Sequence, residues 1–203
     1  MNINSKDIKR YVYLKLGKRE TEEINEEELN KITFLNLNYK NFKDEINEYD
    51  FNELKQFKNL KELTLNGFEI TDEIIEKINL IPNLEILIIN HSSINATKEL
   101  INNLKMLVVT YTNANDLKNF KMYETLENLK MISCENVNIN ELIKFKSLKE
   151  ISINSSNIVN ADTLNKFELL KILNIDGSKI DSENLLIRKN VEFSHEEKFF
   201  LIG

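Results

Sequence analysis

The stretch LEILIINHSSI, Leu84 to Ile94, decides how this chain folds. A β-strand turns successive side chains to opposite faces, so Leu87 and Ile89 share one face and Ile86 and Ile88 the other. The stretch has copies. Apolar residues at its first, fourth and sixth positions, with an apolar residue or Ala at the eleventh, recur in LKELTLNGFEI from Leu60 and LKMLVVTYTNA from Leu104. They recur again in LKMISCENVNI from Leu129, LKEISINSSNI from Leu148 and LKILNIDGSKI from Leu170, and an earlier copy, ITFLNLNYKNF, starts at Ile32. Cys134, sixth in the copy from Leu129, is the one small residue at that position. The seven starts are 28, 24, 20, 25, 19 and 22 residues apart, which assigns the constant part to a strand and the variable part to the connection that returns to the next strand.

No single unit of this size can bury its apolar side, so adjacent units must stack over a shared core. The pattern resembles the leucine-rich repeat family, whose units read L-x-x-L-x-L-x-x-N-x-L. The resemblance covers Ile32 to Ile180. It implies an α/β fold: a right-handed leucine-rich-repeat solenoid with a parallel concave sheet and short helical or 3₁₀ segments on the convex side. A generic α/β sheet, the alternative, would call for full helices between strands and more glycine than the four residues present. The ninth position departs from the family. It reads Lys40, Phe68, Ser92, Thr112, Val137, Ser156 and Ser178 where the family has Asn, a residue that saturates backbone groups inside each turn. Ser and Thr hydroxyls can do this in part, Phe68 and Val137 cannot, and the subclass is left open.

The connections show helical spacing. Ile74, Ile75 and Ile78 in DEIIEKINLI face inward, as do Leu100 and Ile101, Leu142 and Phe145, and Leu164 and Phe167. YDFNELKQF and DLKNFKMYETL, in the first and fourth connections, are expected to form fuller helical turns. Solenoid ends need caps. Residues 1–31 read as an N-terminal helical cap: Ser5 caps a helix through KDIKRYVYLKL that ends at Gly17, and Asn25 with Glu28 forms a capping box. This arrangement is similar to the caps of bacterial internalin-like proteins, which points to a bacterial source. Residues 32–181 hold the seven repeats. Residues 182–203 form the C-terminal cap, in which Val191 and Phe193 begin an incomplete eighth unit and Phe199, Phe200, Leu201 and Ile202 plug the last coil. The reading is one leucine-rich-repeat domain over 1–203.

The composition narrows the function. A chain of 203 residues with 41% hydrophobic content suits one core. With 27 basic and 33 acidic residues the net charge is −6, which argues against nucleic acid as the partner. One cysteine excludes an internal disulfide framework, and two histidines exclude a dense His/Cys metal cluster. The chain's opening carries no uninterrupted apolar segment of a secretory signal and no later stretch could span a bilayer, so the expected location is the cytoplasm, with no membrane partner. Cys134 reads as a buried, inert thiol. His91 and His195 lie several repeats apart, too far for a shared metal or a nucleophile–base pair. No phosphate loop is present. The chain is expected to be neither an enzyme nor a cofactor binder.

What remains is the face of the sheet turned away from the core. The second position carries Lys61, Lys105, Lys130, Lys149 and Lys171, interrupted by Glu85: either a line that steers an acidic partner or solubilising residues lying over their neighbours. The seventh carries Asn38, Asn66, Asn90 and Asn154, either a structural amide ladder or a recognition surface. At the third and fifth positions Ile86, Ile88, Met106, Val108 and Met131 fall next to one another between polar units, with Tyr111 and His91 on the rim. An apolar centre with a polar rim suits a protein partner, and methionine lets it adapt. The expected function is a non-catalytic protein-interaction module that binds its partner on the concave face. The alternative is a structural or self-associating repeat protein that forms homo-oligomers through the patch or the C-terminal tail.

Overall fold

The computed structural model describes residues 3–39, 51–100, 103–112, 117, 120–121, 124–182, 185 and 187–195. The chain opens with helices α1 (Lys6–Leu16) and α2 (Glu26–Leu29) and enters the repeats at β1 (Phe34–Asn38). A 3₁₀ helix over Phe51–Gln56 precedes β2 (Glu62–Asn66), β3 (Glu69–Ile70), α3 (Asp72–Asn79), β4 (Ile86–Asn90), β5 (Ser93–Ile94) and β6 (Met106–Thr110). Then come β7 (Asn128–Ile132), β8 (Val137–Asn138), α4 (Ile139–Leu142), β9 (Glu150–Asn154) and β10 (Asn157–Val159). A second 3₁₀ helix, Ala161–Lys166, leads to β11 (Ile172–Asn174), β12 (Lys179–Ile180) and β13 (Glu192–Ser194).

Eight strands form one parallel sheet in the order β1-β2-β4-β6-β7-β9-β11-β13, so order in space follows order in the chain. Two small sheets, β3-β5 and β8-β10-β12, line the turn that follows. This is the leucine-rich-repeat solenoid that the repeats imply. Inward-facing positions stack without a slip: Leu35, Leu63, Leu87, Leu107, Leu129, Ile151, Leu173 and Phe193 lie opposite one another in series. A one-residue slip would turn every core side chain to solvent, and the buried alternation fixes the register.

The register corrects the frame of one unit. Leu129 pairs with Leu107, a fourth-position residue, so Leu129 is itself fourth and its unit starts at Leu126. The starts at Ile32, Leu60, Leu84, Leu104, Leu126, Leu148 and Leu170 are then 28, 24, 20, 22, 22 and 22 apart. The last three intervals are equal, where the sequence reading had 25, 19 and 22. The misleading signal comes from one extra residue. Val137 pairs with Ile158, three residues past Cys134 where Ile158 is only two past Ser156. Asn136 takes up the difference with a left-handed φ of 50°. The insertion sets Val137 and Ile139 in phase with Leu129 and so imitates a repeat.

The N-terminal expectations are met. Ser5 Oγ accepts from Ile8 N–H at 3.5 Å, and Gly17 closes α1 at φ 64° with its N–H on Leu14 O. Asn25 and Glu28 bond each other's backbone N–H at 2.9 and 3.0 Å, a complete capping box. Ile74, Ile75, Ile78, Leu142, Phe145, Leu164 and Phe167 are buried as their spacing predicts. Leu100 is buried too, in an isolated bridge to Phe120 rather than in a helix. Ile101, Lys40, five of the eleven residues of DLKNFKMYETL, and the plug at 199–202 lie outside the described residues. Val191 is buried, whereas Phe193, in the core register, is 42% exposed at the end of the sheet.

Candidate interaction surface

The third and fifth positions of the large sheet's strands lie on the face away from the core, partly or fully exposed except at Thr64, which is buried. The in-register pairing lines these up as columns: Phe34, Glu62, Ile86, Met106, Asn128, Glu150 and Ile172 in one, and Asn36, Thr64, Ile88, Val108, Lys130, Ser152 and Asn174 in the other. Ile86 is opposite Met106 and Ile88 opposite Val108, and all four are half-buried. Adjacent strands are about 4.8 Å apart, so these side chains form one apolar patch. Glu62 and Thr64 bound it on one side, Asn128 and Lys130 on the other.

Met131 does not belong to this patch. It is fully buried, opposite Val109 and Ile153 in the core, because the unit starts at Leu126 and makes it a sixth-position residue. The same shift brings out Ile132, at a seventh position and 37% exposed beside Thr110. The sequence contained the signal that corrects this: Leu126, Leu129 and Met131 satisfy the first, fourth and sixth positions, with equal 22-residue intervals on both sides.

The seventh and eighth positions finish the rim. Asn66 Nδ2 donates to Asn38 Oδ1 at 2.7 Å, Thr110 Oγ1 to Asn90 Oδ1 at 2.8 Å, and Asn154 Nδ2 to the fifth-position Asn174 Oδ1 at 3.0 Å, so the side chains bond in pairs between adjacent strands. At the eighth position Gly67, His91, Tyr111, Ser133, Ser155 and Gly177 all have φ between 48° and 79°. Gly67, His91, Tyr111, Ser133 and Ser155 each donate one more N–H to the next strand, as Tyr111 N–H does to Ile132 O at 3.0 Å, before the chain turns inward. A bulky residue at positive φ is uncommon and costs about 1–2 kcal/mol. His91 and Tyr111 nonetheless occupy it, stacked at 4.3 Å between ring centroids and 9° from parallel, with Tyr111 58% exposed.

The ninth position holds the coils together from inside. In the corrected frame it reads Phe68, Ser92, Thr112, Cys134, Ser156 and Ser178 among the described residues, with Cys134 in place of Val137, and all are buried. Ser92 Oγ donates to Asn90 O at 2.8 Å and accepts from Phe68 N–H at 3.1 Å. Ser156 Oγ donates to Asn154 O at 2.9 Å and accepts from Cys134 N–H at 3.1 Å. Ser178 Oγ accepts from Ser156 N–H at 3.1 Å and donates to Ile153 O at 2.7 Å. Hydroxyls and one thiol thus do what the family's Asn does. Burial pushes the Cys134 thiol up, and backbone hydrogen bonding at Thr112 only partly opposes it.

The second position is not a lysine line. Lys130 sits at a fifth position, and the column reads Lys61, Glu85, Lys105, Glu127, Lys149 and Lys171. Glu85 lies 3.9 Å from Lys61 and 3.5 Å from Lys105, and Glu127 lies 2.7 Å from Lys149. Alternating charges neutralise one another along the edge and create little field for an acidic partner. Among the described residues there is no group of three or more His, Cys, Asp and Glu that could hold a metal, and no helix is long and apolar enough to cross a membrane.

No model of a known protein family matches the chain, and no curated protein matches it in sequence. Among solved structures it is similar to internalin C2 of Listeria monocytogenes, at 15% identity over 94% of this chain and 92% of that one, with a TM-score of 0.59. A second Listeria monocytogenes internalin, inlF, aligns at 16% identity over 95% of this chain and 68% of its own, with a TM-score of 0.48. The likeness to internalin C2 is one of fold: this chain is an internalin-like leucine-rich-repeat solenoid.

Proposed function

We propose that this chain is a non-catalytic protein-interaction module whose partner docks on the concave face of the large sheet. One observation carries the reading. Ile86, Ile88, Met106 and Val108 occupy solvent-facing positions on two adjacent strands, where the repeat has no need of large aliphatics, and polar residues border them on both sides. An apolar centre ringed by polar groups excludes water when a partner seats on it, and the rim fixes orientation. Tyr111 and His91 extend the patch at the strand ends, and Ile132 joins it beside Thr110.

The test is the pair Ile88→Asp and Met106→Asp in one chain. Both side chains face solvent, so cooperative unfolding should persist. A host protein retained by the wild-type chain, and identified by mass spectrometry, should bind the variant at least about 30-fold more weakly, as for a central apolar contact of about 2 kcal/mol. Unchanged affinity of that protein overturns the concave site. Light scattering over a concentration series covers the alternative: a mass that grows with concentration, and stays monomeric in the double variant, assigns the patch to self-association.

A further inference from the structure

We propose that the partner presents an amphipathic helix to the concave patch, laid across the strands with a basic side chain towards β2 and an acidic one towards β7. This rests on the concave reading above and adds the chemistry and direction of the partner. The observation behind it is a charge at each end of the patch. In strand order the third and fifth positions read Glu62 and Thr64, Ile86 and Ile88, Met106 and Val108, then Asn128 and Lys130. Lys130 is exposed and is the one cation at these two positions among the described residues. At the second position Lys61, Lys105 and Lys149 each stand beside a carboxylate, whereas among the described residues neither Glu62 nor Lys130 is in an ion pair. Lys15 stands over the ring of Phe34, 5.6 Å from its centroid, and not on Glu62 across the strand pair.

Three strand spacings of about 4.8 Å and two residues of about 3.3 Å put the backbones of Glu62 and Lys130 about 16 Å apart. The strands between them engage their own N–H and C=O groups within the sheet. An extended segment crossing them would therefore leave its backbone groups without partners over the apolar patch. A helix satisfies its backbone internally and brings an apolar stripe at i, i+3, i+4 and i+7. At 1.5 Å per residue it spans the two charges in about 11 residues, with its own charged side chains at the ends of the stripe. Opposite charges at the two ends reject the reversed helix, which would set like against like at both. A second copy of this chain is not the occupant. Its helices α1 and α3 turn their apolar stripes, Ile8 with Val12 and Ile74 and Ile75 with Ile78, into its own core.

The probe is a display library of single helices of about 18 residues, apolar at that spacing and randomised elsewhere, selected on the full chain. Selected helices should carry Asp or Glu at one end of the stripe and Lys or Arg at the other. The best binder is then synthesised and titrated by fluorescence anisotropy. Lys130→Glu should weaken it at least about fivefold, and exchanging the binder's acidic residue for lysine should restore the affinity. Glu62→Lys should act in the same way at the basic end. A library without binders, binders without charge preference at either end, or unchanged affinity in both charge variants overturns the inference. A binder weakened by Ile88→Asp with Met106→Asp, yet indifferent to both charge variants, overturns the helix's polarity and not the concave site. One indifferent to all four substitutions overturns both. A mass that doubles with concentration in the wild type, and not in Lys130→Glu, assigns the two charges to a second copy and overturns the partner helix.

Discussion

At the residue scale, two neighbours show how one register decides what a side chain does. Met131 and Ile132 are both large and apolar, yet one is wholly buried and the other 37% exposed. Met131→Ala should cost about 2–5 kcal/mol in urea unfolding, whereas Met106→Ala, half-exposed, should cost about 1 kcal/mol or less. Equal costs would mean that the unit starts at Leu129 after all. Ser156 gives a second case, because its hydroxyl serves two coils. Ser156→Ala leaves the buried Cys134 N–H without its acceptor, and should cost about 1–3 kcal/mol by the same measurement. Cys134 itself should react with a thiol reagent at pH 8 far more slowly in the folded chain than in 6 M guanidinium, since burial hinders both access and ionisation. Ile86 and Ile88 were legible from sequence because the repeat assigns them no core duty. Met131 was misread because the insertion at Asn136 created a second phase that satisfied the same apolar pattern. The His91–Tyr111 stack could be placed at the rim but not seen as a stack, since the left-handed turn that aims both rings has no signature in a column lacking glycine at those two places.

At the element scale, successive coils are joined by carboxylates that cap the neighbouring coil's backbone. Asp72, in the first turn of α3, accepts Thr97 N–H at 2.6 Å and Lys98 N–H at 2.7 Å, with Thr97 Oγ1 on its other oxygen at 2.8 Å. Asp181 reaches back to Ala161 N–H at 3.1 Å and Asn160 N–H at 2.6 Å, where the second 3₁₀ helix begins. The Lys98 backbone bond, with Thr97, holds the Asp72 carboxyl below the usual range, and the Ala161 and Asn160 bonds do the same for Asp181. A lowered folded pKa means that the unfolded chain takes up the proton first as pH falls. The stabilisation is therefore complete well above the unfolded value of about 3.9, and is lost as pH drops through the lower folded values. Urea midpoints measured from pH 6 to pH 3 should fall in the wild type. Asp181→Asn should lower the midpoint at pH 6 and converge towards the wild type at pH 3; a constant gap would show that the carboxylate charge is not what matters. Such staples escaped the sequence reading because the partners lie 20 to 26 residues apart and their capping depends on how two coils abut.

At the scale of the whole molecule, sheet order equals chain order, and each coil touches chiefly the coils before and after it. Stability in such a stack is close to a sum of units and of the interfaces between them. The two faces then divide the labour: the core columns are nearly uniform, and individuality is confined to the outward third, fifth, seventh and eighth positions. Hydrogen exchange should reflect this, with amides of β4, β6 and β7 the slowest and those of β13, where Phe193 stands exposed at the end of the sheet, among the fastest. Equal protection from β4 to β13 would mean that the end coil is as firmly held as the middle. The strand arrangement also has a mechanical meaning. The strands run across the long axis, so a pull applied at β1 and β13 opens their hydrogen bonds one after another, like a zipper, instead of shearing a row of them together. The molecule should yield in an optical trap at low force and in short steps, one coil at a time, behaving as a soft spring between whatever is attached at its two ends.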